Sequence, residues 1–280
     1  MRAIRTHRAS AVLTALAGAA CLAATAGADT FFVDTPGTNN IDALASTGAF
    51  IQVGLHPDST PVTGVVMENT DAVSWDSLYA WSNSVVTLRR ASFTGFDMQA
   101  HDTSTINYAG GDNDALSLVT FDAARIYFSG GRIGSIGTGG GGTTDDAVFI
   151  SGGTVLQSVV CAGGAITISG GEFFLSSELL PPGPPAFSFV SITPGGIQFV
   201  SDEGGLTAQY VGYDSLYGGS IWSISGGLAD GGTLNGHLFV DVGSTSTSEI
   251  LNAGGLTVVP APGAIALICA AGLVARRRRR

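Results

Sequence analysis

The chain predicts an all-β fold: a right-handed parallel β-helix (solenoid) closed by a small antiparallel C-terminal module, with an antiparallel β-sandwich as the alternative. Three observations carry that prediction. Glycine supplies 41 of 280 residues and charged residues only 12%, which excludes a coiled coil, a helical bundle and an acidic disordered tail. A unit of the form apolar-x-apolar-x-Gly-Gly recurs as Ile106-Asn107-Tyr108-Ala109-Gly110-Gly111, Ile126-Tyr127-Phe128-Ser129-Gly130-Gly131, Val148-Phe149-Ile150-Ser151-Gly152-Gly153 and Ile166-Thr167-Ile168-Ser169-Gly170-Gly171. Its first glycines are 20, 22 and 18 residues apart, a period that suits one coil of a solenoid. Finally, alternation puts Ile106 and Tyr108, or Ile166 and Ile168, on one face of a strand. The glycine pair then lets the chain turn a corner without a Cβ penalty.

The elements follow in order. Residues 1–28 read as a secretory signal peptide: Arg2, Arg5 and Arg8 are the basic region and residues 11–22 the apolar stretch. Ala26 and Ala28 flank Gly27 as a small-x-small cleavage site before Asp29. Cys21 follows Ala19 and Ala20 as in a lipobox, with Gly18 where such a box has Leu. Residues 29–196 are the β-helical repeat body. Residues 49–53 and 85–96 read as earlier coils, and Leu116-Ser117-Leu118-Val119 and Val155-Leu156 as a second short strand of each coil. Val190-Ser191-Ile192-Thr193-Pro194-Gly195-Gly196 reads as a looser fifth copy. Coils stacked about 4.8 Å apart bury a continuous apolar column. Pro181-Pro182-Gly183-Pro184-Pro185 reads as a stiff loop, because proline donates nothing to a ladder. Residues 197–257 read as the antiparallel module, with Asn235-Gly236 as its hairpin turn. Its role is to cover the open end of the solenoid.

Residues 258–280 have the layout of an address. Val258-Val259-Pro260-Ala261-Pro262-Gly263 leads into twelve apolar residues, 264–275, and then Arg276, Arg277, Arg278, Arg279 and Arg280. Twelve residues are short of the roughly 20 that a lone span needs, and counting back to Leu256 approaches the lower limit. The arginines would stay on the cytoplasmic side. Pro-x-Pro, apolar helix and Arg cluster, in that order, resemble the PEP-CTERM sorting signal of exopolysaccharide-producing diderm bacteria, with Ala261 where that family usually has Glu. The resemblance implies an exported protein held for a time in the inner membrane by the C-terminal helix, and the reading adopted is a non-enzymatic structural protein of the cell surface or extracellular matrix. Its implied partners are the general secretion machinery and an exosortase, with exopolysaccharide as a further candidate. Val259, Pro260, Ala261 and Pro262 would be recognition residues. The repeat body is likewise similar to the β-helical bodies of such proteins.

Charge narrows the function further. Between the two ends four arginines face 22 acidic residues, a net charge of −18, and the chain has no lysine. Such a body excludes nucleic-acid binding and repels polyanions. Cys161 is the one cysteine between the two terminal segments, so the body forms no internal disulfide, and beside Val159 and Val160 it reads as a small buried hydrophobe. Asn69-Thr70-Asp71 and Asp145-Asp146 resemble two motifs of polygalacturonase-like β-helix hydrolases, but that family's His motif is missing and its Lys has no counterpart. These acids read more simply as Asx turns at coil corners. Gly110-Gly111-Asp112-Asn113-Asp114 resembles the calcium repeat of RTX proteins, so weak Ca2+ binding at Asp112, Asp114, Asp145 and Asp146 is the one cofactor reading. Solvated turn acids are the alternative. His56, His101 and His237 show no zinc spacing. Trp75, Tyr79 and Trp81 would either stack on sugar rings, giving a carbohydrate-binding surface, or pack as a cap over the first coil.

Overall fold

The computed structural model describes residues 5–8, 11–14, 30–42, 49–95, 97–139, 145–173, 189–191, 196–214, 219–240 and 257–260. Arg5–Arg8 (β1) and Ala11–Thr14 (β2) pair antiparallel. From Thr30 the chain winds through about seven turns of a right-handed parallel β-helix, the hand expected of parallel crossovers. The first coil gives Thr30–Val33 (β3) to one face, A, and Gly37–Asn40 (β4) to a second, B. The next adds Phe50–Val53 (β5) to A and Val65–Asn69 (β6) to B, and opens a third face, C, with Val73–Trp75 (β7). Ser77–Ala80 (β8), Val85–Leu88 (β9) and Ala91–Phe93 (β10) repeat A, B and C. Asp97–Ala100 (β11) and Thr105–Tyr108 (β12) follow on A and B.

Beyond this point strands run through the corners. Asp112–Thr120 (β13) and Arg132–Thr138 (β15) each bend from C onto A, with Arg125–Phe128 (β14) on B between them. Ala147–Cys161 (β16) crosses B, C and A, and Ala165–Phe173 (β17) crosses B and C. Phe189–Ser191 (β18) and Ile197–Asp214 (β19) continue A and B. Past residue 201, β19 forms an antiparallel meander with Gly219–Leu228 (β20) and Thr233–Val240 (β21), and Thr257–Pro260 (β22) lies parallel on the start of β19.

The register explains the repeat. Val86, Ile106, Ile126, Val148, Ile166 and Ile197 are successive partners on face B, and all are buried. Parallel pairing of coil with coil is what a solenoid requires, and it sets the sandwich aside. The core is the column these side chains fill, together with Leu78, Met98, Leu118 and Ile136 from face A and Trp75, Phe93, Ile133 and Val155 from face C.

Two expectations change. The fifth repeat copy is misplaced: Val190 pairs with Val160 on face A, and the partner of Ile166 is Ile197. The reason is that coils here differ in length, so composition alone selects the wrong strand. Asn235-Gly236 is no turn, because both residues lie inside β21 opposite Ser225 and Ile224. The turn is made by Ala229 to Gly232, where Gly231 takes φ +88° and Asp230 Oδ1 accepts from the Gly232 amide at 2.7 Å. Val258, Val259 and Pro260, expected to open the terminal address, are strand residues lying parallel on β19. Residues 181–185 and the terminal stretches 15–29 and 261–280 lie outside the described residues, Ala26, Ala28, Ala261, Pro262 and all five terminal arginines included. Among the described residues no helix is long and apolar enough to cross a membrane.

Candidate functional site

A group of polar and aromatic side chains lies on the outward side of face A. Alternation on β8 and β11 sends Leu78, Ala80, Met98 and Ala100 inward, so Tyr79, Asp97 and Gln99 turn outward. Parallel register then sets Gln52, Tyr79, Gln99 and Val119 in one line along the axis. The Tyr79 hydroxyl donates to Asp97 Oδ2 at 2.8 Å, and the Gln99 amide donates to the same oxygen. His101 Nε2 lies 2.8 Å from Gln99 Oε1, which places the proton on Nε2.

Just past the strand ends, Trp81, His101 and Phe121 form a second line. Trp81 stacks on His101 at 4.0 Å and His101 on Phe121 at 4.8 Å, both within 8° of parallel. The corresponding positions in flanking coils are Gly54 and Gly139, and a Cβ on Gly139 would stand 2.3 Å from the Phe121 ring. Glycine therefore leaves room for the end of the column. Each ring turns its faces toward its neighbours, so the column offers edges outward rather than the flat platform on which a sugar ring stacks.

Electrostatics keep this group quiet near neutrality. Burial and the hydrogen bond to Asp97 push the Tyr79 phenol up to about 12, so it stays protonated. Burial pushes the His101 imidazole down, against the upward pull of Asp122, Asp102 and Asp97. The protonated phenol donates to Asp97 and the imidazole, biased to its neutral form, bonds to Gln99, so the ladder is held together by hydrogen bonds.

The other residues singled out by the sequence are scattered. Trp75 is buried in the core on face C, edge-on to Phe93, and so does not share the outward surface of Tyr79 and Trp81. Buried Asn69 accepts from the Arg89 and Arg90 amides, while Asp42 accepts from the Thr70 and Asp71 amides and the Thr70 hydroxyl. That triplet is a corner latch. It precedes face C in the second coil, whereas Asp145 and Asp146 precede face B four coils on, about 19 Å along the axis at 4.8 Å per step. A glycosidase carboxyl pair needs about 5–9.5 Å.

The calcium residues also part company. Asp112 and Asp114 flank Arg132, whose Nε lies 2.8 Å from Asp114 and 3.9 Å from Asp112, so a guanidinium already sits between them. Asp145 is exposed and Asp146 buried. Among the described residues no three His, Cys, Asp or Glu side chains converge as a metal site. Cys161 is buried on face A at the end of β16, its thiol pushed up by burial. Of the residues that the sequence resemblance casts as a sorting motif, Val259 and Pro260 lie in β22.

Sequence reasoning missed the Tyr79–Asp97–Gln99–His101 ladder. Its signal was present: Trp81, His101 and Phe121 are 20 residues apart, the same period as the glycine units. Comparison with family models, with curated proteins and with solved structures returns no match for this chain.

Proposed function

We propose that this chain is an exported, non-enzymatic structural protein of the cell surface or extracellular matrix, sorted through an exosortase-type system. One observation carries the structural half of the reading: polar side chains bond from coil to coil. Asp102 accepts from the Ser82 amide, Asp122 from the Asp102 amide, Asn69 from two amides of the next coil, and Asp97 from Tyr79. Side chains used in this way stiffen a rod. The export half rests on the two terminal segments of the sequence.

The test is processing. Expressed in a host with an exosortase, the chain is expected first in the membrane fraction and then at the surface, with no peptide from residue 264 onward in mass spectra of the mature protein. Deleting residues 264–280 should yield a soluble exported product. Recovery of the Arg276 to Arg280 tail on mature surface protein would reject processing.

A further inference from the structure

The inward corner between faces A and B carries small residues in register: Ser84, Ser104 and Ala124, all buried. The next coil places Asp146 there, with 1% of its surface exposed. One carboxyl oxygen, Oδ2, accepts from the buried Thr120 hydroxyl at 3.0 Å, and the other, Oδ1, has no hydrogen-bond partner. The coil above answers with Gly164, where a Cβ would stand 1.9 Å from Oδ1. The solenoid thus makes room for a carboxyl group at one coil and leaves half of it unsatisfied. An ionised carboxylate in that setting is strongly disfavoured.

The groups around it reinforce the effect. Burial first, then the like charges of Asp122 and Asp145, push Asp146 upward, and only Thr120 and a backbone amide oppose this. On β14, Arg125 points outward into solvent. On β15 and β16, Thr138 and Cys161 complete the corner, with the Thr138 hydroxyl 3.6 Å from the Cys161 sulfur. Cys161 is the other titratable group here, and it too is held neutral by burial.

We propose that Asp146 is a proton-operated latch: the A–B corner of coils five to seven closes around the neutral acid and loosens when the proton leaves. The sign follows from linkage. A carboxyl whose folded pKa is raised binds its proton more tightly folded than unfolded. Stability is therefore highest below the ordinary carboxylate range and falls as pH rises through the raised value.

The purified full-length chain tests this against Asp146→Asn. Hydrogen exchange of peptides covering residues 120–124 and 145–150, corrected for intrinsic pH dependence, is expected to speed at least about tenfold in the wild type between a pH below the ordinary carboxylate range and mildly alkaline pH, since a shift of one pKa unit is tenfold. Asp146→Asn should show no such acceleration, and peptides covering residues 85–88 should be unmoved in both. The urea midpoint should fall with pH relative to Asp146→Asn. Thr120→Val removes the donor that favours the charged form, so it should shift the wild-type transition to higher pH, whereas a purely structural role would lower stability at every pH. Parallel pH profiles for wild type and Asp146→Asn, or failure of Asp146→Asn to fold, would overturn the proposal.

Discussion

The paired glycines divide their work. The second of each pair, Gly111, Gly131, Gly153 and Gly171, takes a φ between +81° and +136°, which an L side chain rarely adopts. The first is held by proximity instead: a Cβ would stand 2.2 Å from the Arg89 carbonyl oxygen at Gly110, 2.6 Å from that of Ala109 at Gly130, and 2.7 Å from that of Ser129 at Gly152. Backbone cannot step aside as a flexible side chain can. Gly130→Ala is therefore expected to cost roughly 1–3 kcal/mol in urea denaturation, the usual range for overpacking. Gly212→Ala is the control. Its Cβ would meet nothing within 4 Å, and the loss of unfolded-state freedom should leave stability unchanged or raised by about 0.5 kcal/mol. Equal losses at both positions would mean that the first glycines serve flexibility, not close approach.

At the scale of elements, the repeat period and strand phase were legible because face B repeats an uninterrupted alternation from Val85 to Ile168. Face C was not, since Val73–Trp75 and Ala91–Phe93 are too short to show a period. The outward ladder needed cross-coil register, which no single stretch contains, and the burial of Asp146 is decided by Gly164, one coil away. The end of the glycine column shows the same non-local logic. Asp230, in the β20–β21 turn, accepts from the Gly171 amide at 3.1 Å, and its own amide donates to the Ser169 carbonyl. The meander thus caps the corner where the last Gly-Gly unit would meet a further coil. Asp230→Ala should cost about 1–2 kcal/mol through the lost hydrogen bonds to a carboxylate. Hydrogen exchange should quicken at residues 169–171 but not at residues 105–108. Loss of protection along the whole rod would show instead that the cap governs global stability.

Across the whole molecule, stability comes from stacking, because the body has a single cysteine and an acidic surface that resists compaction. In such a rod each exposed strand edge is a liability, and the upper edge of face B ends on β22. That places a structural strand on the residues with which the sorting segment expected from the sequence would begin. Val258 pairs with Phe199, Val259 with Val200 and Pro260 with Ser201, while Pro260, having no amide hydrogen, suits the last position of a strand. A chain of residues 29–260 is therefore expected to melt several degrees above one of residues 29–256, since a change of 1 kcal/mol moves the midpoint by about 2–4 °C for a domain of this size. The shorter chain should also aggregate more readily, with the edge of β19 uncovered. Both chains should give β-type circular dichroism and one cooperative transition. Identical midpoints and solubility would put β22 outside the working fold and return the boundary to residue 257. A higher midpoint for the longer chain would instead require any processing protease to cut after Pro260 if the mature rod is to keep its last strand.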